Sequence, residues 1–332
     1  MDPFDIVLIA AIALVWVGGV RVEADHILQG DVVALYSYLS IILVELVKFA
    51  NLIFTASKAI GCERRIEAVL GMEGEPSVLV PAAEGEGEDA PAFSFEDVTF
   101  AYHGGGAPAL HGITFSARRG ETVGILGGTG SGKTTLISLL PRFYPASRGR
   151  VCLAGRDVNA IPAQELRERV GVVPQKAVLF KGTIRSNLLW GRGDATDEEL
   201  MRAARIAQAE DVIAAKGGLD SEIAQEGKNL SGGQRQRLTI ARALVRCPEV
   251  LILDDSSSAL DYATDARLRK ALSALDTTVI VVSQRIASVR HADRIVVLDD
   301  GGMAGIGTHE QLLATCEVYR EIAASQEKEG SL

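Results

Sequence analysis

A glycine-rich loop constrains this chain more than any other part of its sequence. Residues 127–135 read GGTGSGKTT and fit the pattern G-x-x-x-x-G-K-[ST]. They follow an apolar stretch, 122–126, that predicts a strand, and they lead into 134–140, which predicts a helix. In this layout backbone N–H groups surround phosphates, the lysine reaches the β- and γ-phosphates, and the threonine hydroxyl ligates Mg²⁺. The predicted phosphate-binding residues are Gly127, Gly128, Thr129, Gly130, Ser131, Gly132, Lys133, Thr134 and Thr135.

A second apolar stretch supplies the acid that such a loop needs. Residues 250–255 read VLILDD, an apolar run that ends in two carboxylates. A carboxylate at the C-terminal end of a buried parallel strand lies in the crevice where ligands bind. Asp254 is therefore the expected holder of Mg²⁺, directly or through water. The alternative is that the two acids only cap a strand end.

From residue 93 onward the sequence alternates between short β-rich runs and helical runs, which predicts an α/β fold. The uninterrupted apolar runs 250–253 and 279–282 suit strands that are covered on both faces, as in a parallel sheet. Thr308 and Gln311 fit a capping box that begins a final helix. The predicted strands are 93–100, 121–126, 250–253, 277–283 and 294–298.

Two apolar runs near the N-terminus predict membrane helices. Residues 6–20 form an uncharged run of 15 residues, and a helix of that length spans about 22 Å, short of the ~30 Å hydrocarbon core. Residues 32–56 form a run of 25 residues, and a helix of that length reaches about 37 Å. Its two charges, Glu45 and Lys48, lie three residues apart, so they can pair on one face. The alternative is a pair of buried helices in a soluble domain, and the first run is short enough to leave it open. A secretory signal is disfavoured because the first five residues are acidic rather than basic.

The distribution of basic residues predicts an orientation in the membrane. Lys58, Arg64 and Arg65 follow the second run closely, whereas 21–31 holds one arginine and three acidic residues. Because basic residues favour the cytoplasmic side, everything after the second helix is expected in the cytosol. We therefore expect a protein of the cytoplasmic membrane, in contact with lipid.

The net charge of −9 is concentrated in one segment. Residues 71–92 carry six acidic groups and no basic ones, whereas 93–332 carry 29 of each. Since no excess of positive charge marks the larger part, a nucleic-acid partner is not expected. Residues 71–92 are also rich in Gly, Pro and Ala, which predicts a flexible linker. The four cysteines are far apart, which favours free thiols over a disulfide framework or a zinc site.

Residues 230–234 read LSGGQ and are followed by a helical run with alternating arginines, 235–242. Because this sequence stands between the phosphate loop and the Asp254 strand, the chain resembles an exporter-type subunit of an ATP-binding cassette (ABC) transporter. The resemblance implies a P-loop NTPase cassette with a mixed sheet, a β subdomain and a helical subdomain, preceded by two transmembrane helices. It implies a partial membrane domain at 1–70, the linker at 71–92, the nucleotide-binding domain at 93–326 and a tail at 327–332.

The resemblance also implies roles for residues outside the phosphate loop. Tyr102 matches the aromatic residue that stacks on adenine, although a core aromatic of a strand is the alternative. Gln175 matches a glutamine that touches Mg²⁺ and senses the membrane domain. The sequence at 258–261, SALD, matches a loop that crosses between two cassettes. ATP and Mg²⁺ are the implied ligands, and each ATP would lie between the phosphate loop of one chain and the signature of another, here Ser231, Gly232, Gly233 and Gln234.

Two positions depart from the pattern of hydrolytic cassettes in this family. Asp255 stands where they carry a glutamate that polarises water, and Gln284 stands where they carry a histidine. Asp is one methylene shorter than Glu, and Gln cannot carry a proton charge as His does. With Gln175, these are the candidate catalytic residues. Both departures affect the chain's own site and leave its signature intact, a pattern that resembles heterodimeric exporters with one degenerate site. The partner is therefore expected to be a second exporter subunit, with a homodimer as the alternative.

Exporter subunits of this type have six membrane helices, so the chain is expected to begin near the end of the fifth. A truncated gene, a mis-assigned start and a fragment are the three explanations. Two other functions compete with an exporter ATPase: a soluble ABC protein without transport, which residues 32–56 disfavour, and a regulatory chain that binds ATP without supporting transport. The exported substrate is not predicted.

Overall fold

The computed structural model describes residues 3–24, 26–71, 90–104 and 106–329. Most of the predicted linker and the last residues of the predicted tail lie outside the described residues. The chain divides into two compact units, Met1–Pro76 and Ser77–Leu332, which are described separately.

The first unit consists of two helices, α1 (Pro3–Glu23) and α2 (Gln29–Leu70), so both apolar runs are helical as predicted. The backbone N–H of Leu28 donates a hydrogen bond to Asp31 at 3.0 Å, which satisfies one of the free groups at the start of α2. The helix has 42 residues, about 63 Å at 1.5 Å per residue. Glu45 and Lys48 form the expected ion pair at 2.8 Å.

Among the described residues, one helix is long and apolar enough to cross a membrane, and it is α2, with a mean hydropathy of 1.9 over its most apolar stretch. Its large apolar side chains are exposed, as expected for a surface that faces lipid. Membrane crossing by α1 stays a prediction.

The second unit contains a four-stranded antiparallel sheet in the order β2-β1-β4-β5. Phe93, Phe95 and Phe115 pack together on it and are almost fully buried. This sheet corresponds to the β subdomain that the resemblance implied. Its strands are β1 (Phe93–Phe100), β2 (Leu110–Ala117), β4 (Arg148–Leu153) and β5 (Arg156–Asp157).

A six-stranded sheet forms the centre of the unit, in the order β12-β11-β3-β10-β9-β6. All neighbouring pairs are parallel except β11 with β12, so the sheet is mixed. The five strands predicted from sequence end within one residue of the observed bounds. The strands are β3 (Thr122–Gly127), β6 (Val170–Val173), β9 (Val250–Asp254), β10 (Thr278–Ser283), β11 (Arg294–Asp299) and β12 (Gly302–Gly307), and a short pair, β7 (Gly182–Thr183) and β8 (Glu222–Ile223), lies apart.

Both faces of the central sheet are covered, as the apolar runs predicted. Ile280 and Val282 belong to one buried cluster, together with the side chains of the antiparallel sheet. Val279 and Val281 point to the opposite face and join a second cluster. Burial on both sides explains why this strand carries only apolar residues between Thr278 and Ser283.

The helices surround this sheet, and those between β7 and β9 form the expected helical subdomain. Thr308 caps α11 as predicted, since its hydroxyl accepts a hydrogen bond from the Gln311 backbone N–H at 3.3 Å. In the part of the chain that the structure describes, the helices after α2 are α3 (Lys133–Leu139), α4 (Ala163–Arg169), α5 (Ile184–Leu189), α6 (Asp197–Ile206), α7 (Glu210–Lys216), α8 (Gly232–Leu244), α9 (Tyr262–Leu272), α10 (Ile286–Val289), α11 (His309–Thr315) and α12 (Glu317–Glu329).

An ion pair joins the start of β3 to the start of β11. Arg294 Nη2 donates to Glu121 Oε2 at 3.0 Å, and the Glu121 side chain is 11% exposed. Burial raises the pKa of Glu121, but the hydrogen bonds from Arg294 and from the Arg118 backbone N–H, with the charges of both arginines, outweigh it and hold the pKa below 4.5.

We predict that Glu121→Gln destabilises the protein by about 1–2 kcal/mol at pH 7 because it removes a charged, hydrogen-bonded acceptor. Since the pKa of Glu121 is depressed in the folded state, its contribution is full above the ordinary pKa of 4.5 and is lost as the pH falls through the folded value. The difference in urea midpoint between the variant and the wild type should therefore shrink below about pH 4. Glu222→Gln, at an exposed glutamate, is the matched control, and an equal loss of stability in both variants would contradict the prediction.

Candidate phosphate and nucleotide site

The phosphate loop takes the conformation that its glycines allow. Gly130 and Gly132 have φ angles of +84° and +97°, in the left-handed region that favours glycine. A Cβ at Gly132 would lie 2.7 Å from Leu110 Cδ2 and 3.0 Å from the Ala109 carbonyl oxygen, so larger residues do not fit. Because α3 begins directly after this residue, its first N–H groups point toward the loop.

The side chain of Lys133 folds back over the phosphate loop. Its Nζ donates hydrogen bonds to the carbonyl oxygens of Gly127 at 2.8 Å and Gly128 at 2.6 Å. Burial lowers the pKa of Lys133, and the charges of Asp254 and Asp255 oppose that shift. The ammonium group is thus held where the loop surrounds it, next to two carboxylates.

The two acids follow directly from the end of β9. Burial and the charge of Asp255 raise the pKa of Asp254, and Lys133 partly offsets the increase. Asp255 has a φ of +44°, and its backbone N–H donates to the Val282 carbonyl at 2.8 Å. Its carboxylate accepts hydrogen bonds from Ser283 Oγ at 3.2 Å and Gln175 Nε2 at 3.5 Å. Asp255 is therefore held by the segments on both sides of its strand.

Gln284 closes another side of the site. Its Oε1 accepts a hydrogen bond from Thr129 Oγ1 at 3.3 Å, which links the turn after β10 to the phosphate loop. The side chain is neutral, so this link carries no titratable charge.

Tyr102 lies beside α3. Its hydroxyl is 2.9 Å from Thr135 Oγ1, and its ring makes edge contacts with Phe100 and Tyr144 at centroid distances of 4.8 and 5.3 Å. The side chain is 48% exposed, so the alternative of a buried core aromatic is wrong.

One cavity of about 430 Å³ brings most of the predicted residues together. Its lining joins the phosphate loop and α3 to the turns that follow β6, β9 and β10 and to the segment after β1. The lining residues are Tyr102, Ala109, Thr129, Gly130, Gly132, Lys133, Thr134, Thr135, Gln175, Asp254, Asp255, Val282, Ser283 and Gln284.

The signature residues Ser231, Gly232, Gly233 and Gln234 are not part of that lining. They begin α8 in a capping box, in which Gln234 N–H donates to Ser231 Oγ at 3.2 Å and Ser231 N–H donates to Gln234 Oε1 at 2.9 Å. A Cβ at Gly232 would meet nothing within 4 Å. The start of α8 is therefore an open helix N-terminus outside the chain's own cavity.

The predicted crossing loop, 258–261, lies next to this helix. A Cβ at Gly233 would lie 3.0 Å from the Ala259 carbonyl oxygen. Asp261 caps α9 by accepting the Thr264 backbone N–H at 2.9 Å, and hydrogen bonds from Thr264 lower the pKa of its carboxyl. The loop follows Asp255 in the chain and contacts the signature helix before α9 begins.

The residues present fit a nucleotide with Mg²⁺. Ser131 Oγ is buried and has no hydrogen-bond partner, as expected where an acceptor on the ligand completes the loop. Thr134, Gln175 and Asp254, the predicted Mg²⁺ ligands, line the same cavity. Over the described ranges no group of three or more His, Cys, Asp or Glu could hold a metal ion. Mg²⁺ does not need one, since it takes few protein ligands together with phosphate oxygens.

Sequence reasoning missed two contributors to this region. Ser283 binds Asp255, and its position beside Gln284 was the only available signal. Gln326, in α12, donates a hydrogen bond to the backbone carbonyl of Gln284 at 2.7 Å, and no motif in the sequence indicates that contact.

Comparison with known proteins agrees with this geometry. The ABC transporter family model matches residues 110–258, which include the phosphate loop, the signature and Asp254. The chain contains an ATP-binding cassette of the ABC transporter family.

Two relatives and a solved structure extend the match beyond the cassette. The chain is 41% identical over 324 residues to an uncharacterized ABC transporter ATP-binding protein, YfiB, of Bacillus subtilis, covering 96% of this chain and 55% of that protein. It is 36% identical over 323 residues to an ATP-dependent lipid A-core flippase of Chromobacterium violaceum, covering 96% and 54%. A bacterial Atm1-family ABC exporter with ATP bound aligns with a TM-score of 0.74 and 32% identity, over 91% of this chain and 53% of that one. The chain therefore spans about half the length of the curated relatives it matches.

We predict that Lys133→Ala lowers the affinity for Mg-ATP about 10- to 100-fold, because each charge-assisted hydrogen bond to phosphate is worth roughly 1.5–3 kcal/mol. Titration of the full chain in detergent measures this change. Lys270→Ala, at an exposed lysine of α9, is the control and should leave the affinity unchanged. Equal affinities for Lys133→Ala and the wild type would contradict the assigned site.

Proposed function

We propose that this chain is the ATP-binding part of an ABC exporter of the cytoplasmic membrane, with its cassette on the cytosolic side. Mg-ATP binds between the chain's phosphate loop and the signature of a second subunit. The observation that carries this proposal is that separate segments converge on one cavity of about 430 Å³ while the signature helix lies outside its lining. A signature that does not serve its own cavity is suited to complete a site on a partner.

The N-terminal unit supports the membrane part of the proposal. α2 is long and apolar enough to cross a bilayer, and three basic residues follow its apolar part. These residues favour a cytosolic position for the end of α2 and for the cassette that follows. One relative is named as a lipid A-core flippase and one structural neighbour as an exporter, which favours export as the direction of transport.

Within the site, we assign Lys133 to the β- and γ-phosphates and Tyr102 to the adenine ring. Thr134, Gln175 and Asp254 hold Mg²⁺, which when bound draws charge from the phosphate oxygens. Burial and the charge of Asp255 raise the pKa of Asp254, and a bound Mg²⁺ would oppose that shift.

We further propose that this chain's own site is degenerate and that its signature serves the hydrolytic site of a different subunit. The carboxylate of Asp255 is one methylene shorter than that of a glutamate and is held by Ser283 and Gln175. Displacement of a base by about 1 Å can cost 100-fold in rate. Gln284 can bind a phosphate through its amide but cannot carry a proton charge.

Substitution of Asp255 and Gln284 tests the degenerate site. We predict that Asp255→Asn changes the ATP turnover of the purified full chain less than about twofold, since Asp255 does little catalysis. The double variant Asp255→Glu/Gln284→His should raise turnover about tenfold or more, because general-base catalysis contributes 10²–10⁴-fold when the base is well placed.

Turnover is measured as phosphate release, and ATP binding is measured in parallel. Loss of turnover in Asp255→Asn with ATP binding retained would show that the own site hydrolyses ATP and would contradict the degenerate site. When a partner subunit is present, removal of the partner's catalytic base should abolish turnover, whereas Asp255→Asn should not.

The adenine contact is tested at Tyr102. We predict that Tyr102→Ala weakens ATP binding about 5- to 100-fold, since base stacking on an aromatic ring is worth roughly 1–3 kcal/mol. Tyr102→Phe keeps the ring and loses only the hydroxyl contact with Thr135, so its affinity should stay close to that of the wild type. Equal losses in both variants would show that the hydroxyl, not the ring, makes the contribution.

A further inference from the structure

A glutamine on the last helix binds the backbone of Gln284 and of Ile286. Gln326, in α12, donates from Nε2 to the Gln284 carbonyl oxygen at 2.7 Å and accepts at Oε1 from the Ile286 backbone N–H at 2.9 Å. One side-chain amide thus satisfies an acceptor and a donor two residues apart, as a neighbouring strand would. The two bonds fix the backbone on both sides of Arg285.

These two hydrogen bonds, called the Gln326 clamp below, lie at the point where β10 ends and α10 begins. Arg285 is the residue before α10 and has an extended backbone, and its N–H donates to Ser283 Oγ at 3.0 Å. Ser283 also binds Asp255. Hence the turn carrying Gln284 is held from one side by the residue that binds Asp255 and from the other side by Gln326.

The side chain of Gln284 transmits this positioning to the phosphate loop. It accepts the hydrogen bond from Thr129 Oγ1 at 3.3 Å and lines the nucleotide cavity. Gln326 itself lines a neighbouring open cleft of about 810 Å³, which shares Gln284 with the nucleotide cavity and contains Gly127 and Gly128 but not the lysine or the acids of the site. Gln326 therefore reaches the nucleotide site through Gln284 and not by direct contact with its cavity.

We propose that Gln326 is a positioning residue that sets Gln284 against the phosphate loop and so favours ATP over ADP. The proposal rests on the proposed function, in which Gln284 can bind a phosphate through its amide, and it takes that phosphate to be the terminal one of ATP. A terminal phosphate gains from a correctly placed amide, whereas ADP lacks the group that the amide would bind. The docking of α12 thereby becomes part of nucleotide recognition.

The first test compares Mg-ATP and Mg-ADP affinities of the full chain in detergent by calorimetry. Gln326→Leu keeps the approximate volume and removes both hydrogen bonds. We expect the affinity for ATP to fall roughly 3- to 10-fold, as for a lost hydrogen bond, and that for ADP to stay within about twofold. Gln326→Glu should not rescue it, because it keeps an acceptor for Ile286 but places a second oxygen against the Gln284 carbonyl.

Gln164→Leu is the matched control, because it is the same substitution on another helix surface and also removes one side-chain hydrogen bond, to Glu168 at 3.0 Å. It should leave both affinities unchanged. Equal losses for ATP and ADP in Gln326→Leu, or no loss in either, would overturn the positioning role while ATP binding by the wild type still stands.

A double-mutant cycle separates positioning from a general structural role. If Gln326 acts through Gln284, then Gln326→Leu has no further effect on the ATP-to-ADP ratio in a Gln284→Ala background. A full additional effect in that background would overturn the inference. A wild-type chain without affinity for Mg-ATP would overturn the proposed function, and the positioning role with it.

Discussion

The parallel register of β3, β10 and β9 is the constraint on which the nucleotide site depends. Ser283 lies opposite Leu126, and Val282 lies opposite both Ile125 and Asp254. The three strands therefore end at nearly the same level, so the phosphate loop, the two acids and the turn with Gln284 emerge side by side. The hydrogen bond from Asp255 N–H to Val282 continues this alignment one residue beyond β9. Burial of both sheet faces makes a shift in register costly, since it would place apolar side chains on the wrong face.

At this edge of the sheet one ammonium group lies near two carboxylates. The Lys133 ammonium lies between loop carbonyls and near two carboxylates, while burial raises the pKa of Asp254. Phosphate oxygens compete with the carbonyls for the ammonium, and a divalent cation relieves the repulsion between the acids. In the proposed complex, nucleotide and cation therefore complete charges that the folded chain has already brought together.

The loops around the site also form one hydrogen-bonded network. Gln175, Asp255 and Ser283 connect the turns after β6, β9 and β10, and Gln284 connects the last of these to Thr129. Gln326 extends the network to α12. Because Asp255 is held within it, the chemistry at this position depends on its neighbours as well as on the length of its side chain. The signature helix stands outside the cavity, as the proposed site between two subunits requires.

The sequence alone determined five of the strands, the phosphate loop and the helix that Thr308 caps, because these depend on local apolar runs, on glycines that adopt positive φ and on short-range capping bonds. It also indicated Asp254 from its place at the end of an apolar strand, and Tyr102 and Gln175 through resemblance to a family. The tertiary structure alone decided that Asp255 is bound by Ser283 and Gln175, that Gln326 clamps the Gln284 turn, and that the signature lies outside the cavity. The hydrogen bonds of Asp255 and of Gln326 join residues that are 28 to 80 positions apart in the chain. Contacts over such separations follow from the packing of strands and helices, which no local pattern specifies.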